Sequence, residues 1–382
     1  MIYTVFYLLY LLVYFRIKEK ENLALEKVQK KLHRLVLIAS AKTISEYSIF
    51  LRHLMLGLAD ESIPTVLVCP PKSNVDSIIL GAVEVIRFPF LDLPFTAKLN
   101  KKLLIEKLSK FNPTILHCLC ESRALLTRKI ARKLNVSYIL MVNSLQKRFS
   151  KISISPGRCL KIVVPTRSIE NNIIKYYPNF TDRIEQINIG SFTTTSEHCF
   201  SENFSRANII TVHPPHHSEE FENLFNAIRH LRIDGYEFMI VIIDSEKSED
   251  KLWKMLSALD LLQVVTIVPR QIPWLSILAS GDIFVRPGPD NAFDPLLLGA
   301  MSVGTAVAGC RGGVDDLLIE DQTAVIFDSK DELSIMRTLQ KLLDRREFTR
   351  KIAKNAQEYI KQNHSVSNMI SSIIRIYNEV KS

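Results

Sequence analysis

Asp290, Asn291 and Asp294 fall in one turn of the stretch Pro287 to Gly313, PGPDNAFDPLLLGAMSVGTAVAGCRGG. Carboxylates and a carboxamide this close together are groups that can hydrogen-bond a polar ligand. Pro287 and Gly288 open the stretch, and the apolar run 296–301 reads as a short buried helix that Gly304 ends. Val307 and Ala308 start a strand, which Gly312 and Gly313 break. Loop, helix start, strand and glycine turn is how α/β proteins build a ligand crevice at the carboxyl ends of parallel strands. The same layout also serves as an ordinary connecting unit in any α/β domain. His117 closes a probable strand over residues 115–118, where a histidine either faces such a crevice or sits hydrogen-bonded in the core. The cluster His213-Pro214-Pro215-His216-His217 reads as a proline-rich surface loop or as a ligand loop.

The elements that must position these residues alternate between apolar runs and helical patterns. Residues 35–39, 65–69, 115–118, 138–142, 160–164 and 187–189 are expected as strands. Helices are expected over 46–59, 98–111, 124–134 and 168–176. Residues 191–206 are rich in Ser and Thr, show no apolar period, and read as a linker. The pattern restarts with strands at 209–212, 238–243, 264–268, 283–285, 306–308 and 324–327, and helices lie between them. Alternation of this kind implies two doubly wound parallel sheets. The expected organisation is a hydrophobic segment 1–20, a Rossmann-like domain 34–192, a second Rossmann-like domain 207–362, and a terminal helix 363–382. A cleft between two such domains is a preferred place for ligands.

Apolar residues make up 47% of the 382 and charged residues 23%, a mix that excludes disorder for most of the chain. Six cysteines without a CxxC pair read as buried apolar side chains, and no spaced Cys/His quartet suggests a zinc site. The net charge of +9 is lopsided. Residues 1–200 hold 29 Lys and Arg against 15 Asp and Glu, whereas residues 201–382 hold 20 against 25. A basic half favours an anionic partner, and a membrane surface ranks above nucleic acid, for which no motif is present. Residues 1–15 (MIYTVFYLLYLLVYF) are apolar or aromatic apart from Thr4 and are followed by Arg16, Lys18 and Lys20. They read as a short membrane anchor that leaves the rest of the chain cytoplasmic at the inner membrane face, or as a misassigned translation start.

Several segments, met in order, resemble the GT-B glycosyltransferases and specifically glycosyltransferase family 4, the group 1 transferases. Asn112-Pro113-Thr114-Ile115-Leu116-His117 is similar to the family's P-D-x-V-H strand, and Ile162 to Ser168 to its I-x-V-S-x-S segment. Ile187-Asn188-Ile189-Gly190 is similar to I-P-N-G, and Asp282 to Gly288 to A-D-x-x-x-x-P-S. Gly299 to Val307 is similar to E-A-M-A-x-G-x-P-V, and Gly312-Gly313-Val314-Asp315-Asp316 to G-G-x-x-E. The resemblance covers about residues 35–377. It implies an α/β GT-B fold, with two Rossmann-like doubly wound domains facing a central cleft.

It also implies a hexosyltransferase-type reaction. Sugar would pass from a nucleotide-sugar in the second domain to an acceptor in the first, with retention and without a metal or other cofactor; with the apolar segment 1–15 and the basic first half, the acceptor is expected to be lipid-linked or a polysaccharide. His117 would be catalytic, and Asn291, Phe293, Asp294, Gly299, Arg270, Gly312 and Gly313 would surround the donor. The chain departs from the family in two places. The glutamates of the family's E-x7-E pair correspond to Asn291 and Gly299, so both carboxylates are absent. The basic G-R-L…K-G segment corresponds to Val212-His213-Pro214-Pro215-His216-His217-Ser218-Glu219-Glu220, which has no Lys or Arg. Arg270 and Arg286 are the remaining cationic candidates. These departures keep two alternatives open: a non-catalytic GT-B scaffold or regulator of polysaccharide assembly, and a sugar-nucleotide epimerase of the same fold.

Overall fold

A computed structural model describes residues 33–79, 83–90, 94–147, 151–194, 198–201, 206–213, 219–244, 249–269 and 274–379. The apolar segment 1–15, Arg270, His216 and His217 lie outside them.

The first domain is a seven-stranded sheet in the order β3-β2-β1-β4-β5-β6-β7, with every neighbouring pair parallel. Strands β1 (Leu35–Ile38), β2 (Thr65–Cys69) and β4 (Ile115–Cys118) are buried at every residue, because helices cover both faces of a parallel sheet. Strand β3 (Val83–Arg87) lies at the edge. Strands β5 (Ser137–Met141) and β6 (Cys159–Val164) continue the sheet, and β7 (Ile184–Gln186) ends it. Between β1 and β2 run α1 (Ala41–Glu46), capped by the Ser40 hydroxyl, and α2 (Ser48–Asp60). Helix α3 (Pro94–Phe111) joins β3 to β4, and α4 (Ala124–Leu134) joins β4 to β5. Right-handed crossovers put α3 and α4 side by side on one face of the sheet. Helix α5 (Arg167–Tyr176) follows β6, with Thr166 as its cap.

The second sheet has six parallel strands in the order β10-β9-β8-β11-β12-β13. They are β8 (Ala207–Val212), β9 (Phe238–Asp244), β10 (Val265–Pro269), β11 (Ile283–Val285), β12 (Ala306–Gly309) and β13 (Val325–Ile326). Helices α6 (Glu219–Ile233), α7 (Glu249–Ala258), α8 (Trp274–Ala279) and α9 (Pro295–Val303) connect them, followed by α10 (Glu332–Asp344) and α11 (Arg346–Asn363).

The linker and the terminal helix make contacts beyond those expected. The linker is not merely a tether: Cys199 and Phe200 within it are buried in the second core. The terminal helix α12 (Val366–Asn378) returns to the first domain and packs on α2. Its Tyr377 is fully buried there, and Asn378 Oδ1 lies 2.9 Å from His33 Nε2. Gly190 is required at this crossing, since a Cβ would stand 2.6 Å from Val366 Cα. No helix among the described residues is long and apolar enough to cross a membrane.

Candidate functional site

The carboxyl ends of β11 and β12 carry two loops that are bonded to each other. Asp290 pairs with Gly313 in a parallel bridge, and Val314 N–H donates to the Asp290 carbonyl at 2.7 Å. Gly312 and Gly313 have φ of +107° and +70°, the left-handed region that favours glycine. A Cβ on Gly313 would also lie 1.9 Å from the Asp290 carbonyl oxygen, so only glycine lets the loops meet. Arg286, directly after β11, is buried and donates to the carbonyls of Val314 at 2.9 Å and Cys310 at 3.1 Å. Its two terminal nitrogens hold the glycine turn through these carbonyls, while its buried Nε has no hydrogen-bond partner among the described residues. Asp294 caps α9, its Oδ1 accepting from Leu296 N–H at 2.9 Å. Burial, and then the neighbouring Asp290 charge, raise the Asp294 carboxyl above its ordinary pKa, and the Arg286 cation partly offsets them.

The first domain docks on this loop. Ser144 pairs antiparallel with Ala292, Leu145 N–H donates to the Asn291 carbonyl at 2.7 Å, and Phe293 N–H donates to the Asn143 carbonyl at 2.9 Å. The Tyr47 hydroxyl donates to the Phe293 carbonyl at 2.9 Å. Phe293 is therefore a buried apolar floor, while Asn291 remains exposed with its backbone held. Further along, Ser168 N–H donates to Asp316 Oδ1 at 3.0 Å across the cleft. The first-domain wall is acidic. Glu121, just beyond β4, accepts from the Ser144 hydroxyl and from Asn143 N–H. Burial raises the Tyr47 phenol well above its usual range, and the charges of Glu46, Glu121, Asp294 and Asp290 add to that.

The remaining expected residues have other surroundings. His117 is 1% exposed, beside Leu37 and Ile139 in the sheet, with Nδ1 2.7 Å from the Tyr377 hydroxyl. Burial lowers its pKa to about 3, so it is neutral. These are the surroundings of the core alternative. Gly299 is buried in α9 against α8, where a Cβ would lie 2.5 Å from Trp274 Cζ3 and 3.1 Å from Leu278 Cδ1. An indole ring thus fills the space a side chain at 299 would need. Glu220 lies against the loop after β11, its Cδ 3.8 Å from where a Gly288 Cβ would stand. The first turn of α6 holds Glu219, Glu220 and Glu222, so carboxylates occupy the helix end that would otherwise favour an anion. His213 is buried, its ring edge-on to Phe221. A separate groove of about 670 Å³ between α2 and α12 holds none of these residues. Sequence reasoning missed Glu121, Tyr47, Ser144 and Trp274. Only Glu121 had a signal, an acid just past the end of an apolar parallel strand.

Solved structures share this two-sheet architecture. A glycosyltransferase from Rickettsia africae ESF-5 superposes with a TM-score of 0.73 at 16% identity, covering 92% of this chain and 99% of that one. Anabaena Alr3699/HepE in complex with UDP and glucose gives a TM-score of 0.73 at 10% identity, covering 91% and 99%. The fold is GT-B. Residues 202–359, the second domain of this GT-B chain, match the family model described as glycosyl transferases group 1. The resemblance read from the motifs is therefore carried chiefly by the half that holds the crevice loop. Among curated proteins, sulfoquinovosyl transferase SQD2 of Arabidopsis thaliana is 38% identical over 84 residues. That match spans 21% of this chain and 16% of the relative's length.

Proposed function

We propose that the chain is a retaining glycosyltransferase that moves a sugar from a nucleotide-sugar to a lipid-linked or polysaccharide acceptor, without a metal, on the cytoplasmic side of an anionic membrane. The observation that carries the reading is the bonded loop pair Asp290–Gly313, which presents Asn291 at the carboxyl ends of adjacent parallel strands, opposite the first-domain carboxylate Glu121, with the neutral Tyr47 phenol beside it. Glycosyl transfer develops positive charge on the sugar ring, and an acidic wall stabilises such charge. Asn291 offers a neutral carboxamide to the sugar hydroxyls, Phe293 forms the floor, and Gly312 and Gly313 let the donor approach backbone. Asp294 holds the start of α9. Arg270 is the cation for the diphosphate in this reading, and His117 positions β4 through Tyr377. The test is calorimetric titration with uridine and guanosine diphosphates, followed by nucleotide release from a panel of sugar nucleotides with membrane extract present. The expected result is diphosphate binding that Asn291→Ala leaves unchanged, and sugar-nucleotide binding, titrated in the same way, that it weakens about tenfold, a loss in line with one polar contact to a buried hydroxyl. No release from any donor would overturn it.

A second reading has its own observation. Trp274 over Gly299, together with Glu220 against Gly288, removes one donor carboxylate and opposes a diphosphate. On that reading the chain is a non-catalytic GT-B scaffold or regulator in polysaccharide assembly. Absence of nucleotide binding in the same titration selects it.

A further inference from the structure

The basic excess of the first domain is concentrated on two neighbouring helices. Helices α3 and α4 hold nine Lys and Arg against the single acid Glu106. On α3, Lys98, Lys102, Lys107 and Lys110 are exposed, and on α4 Arg128, Lys129, Arg132 and Lys133 are. Solvated lysines alone would need no partner. The second observation is that leucines stand among them. Leu99 and Leu103, one turn apart on α3, are 57% and 49% exposed, and Leu125 at the start of α4 is 50% exposed. Three of the ten large apolar side chains exposed among the described residues therefore lie on these two helices. Each helix already buries an opposite face in the sheet, through Leu104 and Leu108 on α3 and through Thr127, Ile130 and Ala131 on α4. The outer leucines are thus surplus to the core.

Leu99 and Leu125 lie in the N-terminal halves of their helices, and Leu103 at the middle of α3. Both helices run back from the carboxyl ends of the strands, so Leu99 and Leu125 lie towards the end where the cleft opens, and much of the cationic row extends away from it. Leucines set among cations, on a face nearly free of acids, suit an anionic bilayer. The leucines enter the acyl boundary while the ammonium and guanidinium groups meet lipid phosphates. A nucleic acid would satisfy the cations and leave the leucines in water.

We infer that α3 and α4 form a docking surface for an anionic phospholipid bilayer, holding the cleft mouth against it. This locates the membrane partner of the proposed function on the chain and rests on that reading only for the identity of the acceptor. The experiment is co-sedimentation of the full chain with phosphatidylglycerol–phosphatidylcholine vesicles and with phosphatidylcholine vesicles. Two variants are compared with wild type: Lys102→Glu/Lys129→Glu/Arg132→Glu and Leu99→Gln/Leu103→Gln/Leu125→Gln. Each cation near an anionic surface contributes on the order of 1 kcal/mol, so the charge variant is expected to lose at least tenfold of its partitioning onto anionic vesicles. The leucine variant is expected to lose several-fold on the same vesicles while keeping the salt dependence. Wild-type-like partitioning of both variants overturns the inference, as does binding to an oligonucleotide with none to anionic vesicles. Hydrogen exchange on the wild-type chain is the second measurement, needing no variant. Anionic vesicles should slow exchange in residues 94–111 and 124–134, and unchanged exchange there also overturns it. Nucleotide titration of the charge variant separates the two readings, because these residues lie away from the donor loop and its affinity should stay at the wild-type value.

Discussion

Two parts of the second domain face the same crevice and differ in what they retain. The loops after β11 and β12 keep the geometry of a ligand site: a glycine turn, a bonded partner loop and a capped helix start. Helices α6 and α8 beside them set the Glu220 carboxylate against Gly288, and Trp274 where a side chain at position 299 would stand. Hydrogen bonds and positive φ over-determine the backbone of the loop pair. The side chains beside it are set by packing, Glu220 against Gly288 and Trp274 against Gly299.

The comparison is most directly broken at the glycine turn. Gly313→Ala forces a methyl onto the Asp290 carbonyl and strains a positive φ, so urea unfolding should show a loss of about 3 kcal/mol. A loss below about 1 kcal/mol would mean that the loop pair is not tightly bound. A first-domain reference comes from His117. Its pKa is lowered in the fold, so the unfolded chain binds the extra proton and stability falls as pH drops below about 6.5. Between pH 6.5 and pH 5 the fall attributable to this group is about 2 kcal/mol, and His117→Phe should remove that part of the slope. An unchanged slope would show that His117 can take up a proton in the folded state, as a cleft-lining histidine would.

The filled side of the crevice is sharpened by a double-mutant cycle. Gly299→Ala should cost about 2 kcal/mol through overpacking against the indole, and Trp274→Leu should recover much of that in the double variant. Strict additivity would show that the ring does not control position 299. The smallest effect is expected at Glu220→Gln, which should tighten nucleoside diphosphate binding about threefold, the scale of one exposed charge. Titration calorimetry at low salt reads it, and equal affinities would remove Glu220 from the account of the altered site.

Much of the fold was legible because buried parallel strands must be continuously apolar. Residues 35–39, 65–69 and 115–118 declared themselves in this way. The edge strand β3 (VEVIR) did not, since one side of it meets solvent and it carries Glu84 and Arg87. Strand β7 begins at Ile184, and the apolar residues Ile187 and Ile189, expected as the strand, are buried just beyond it, where the chain meets His364 and α12. In the site, Asp290, Asn291, Phe293, Asp294, Gly312 and Gly313 come together as their local spacing suggested. Tyr47, Glu121 and Ser144 reach the same cleft from 146 or more residues away. Trp274 matters only because α8 crosses α9 at a glycine. Contacts of that kind have no spacing in one sequence to reveal them.

The return of α12 has a consequence for how the molecule is made. The face of the first domain around His117 and α2 is closed by Tyr377 and Ile370, which are synthesised after the whole second domain. A nascent chain therefore carries an open apolar surface on its first domain until residues 366–378 leave the ribosome, although domains generally fold in order of synthesis. Helix α12 acts as a late-arriving lock on the first domain.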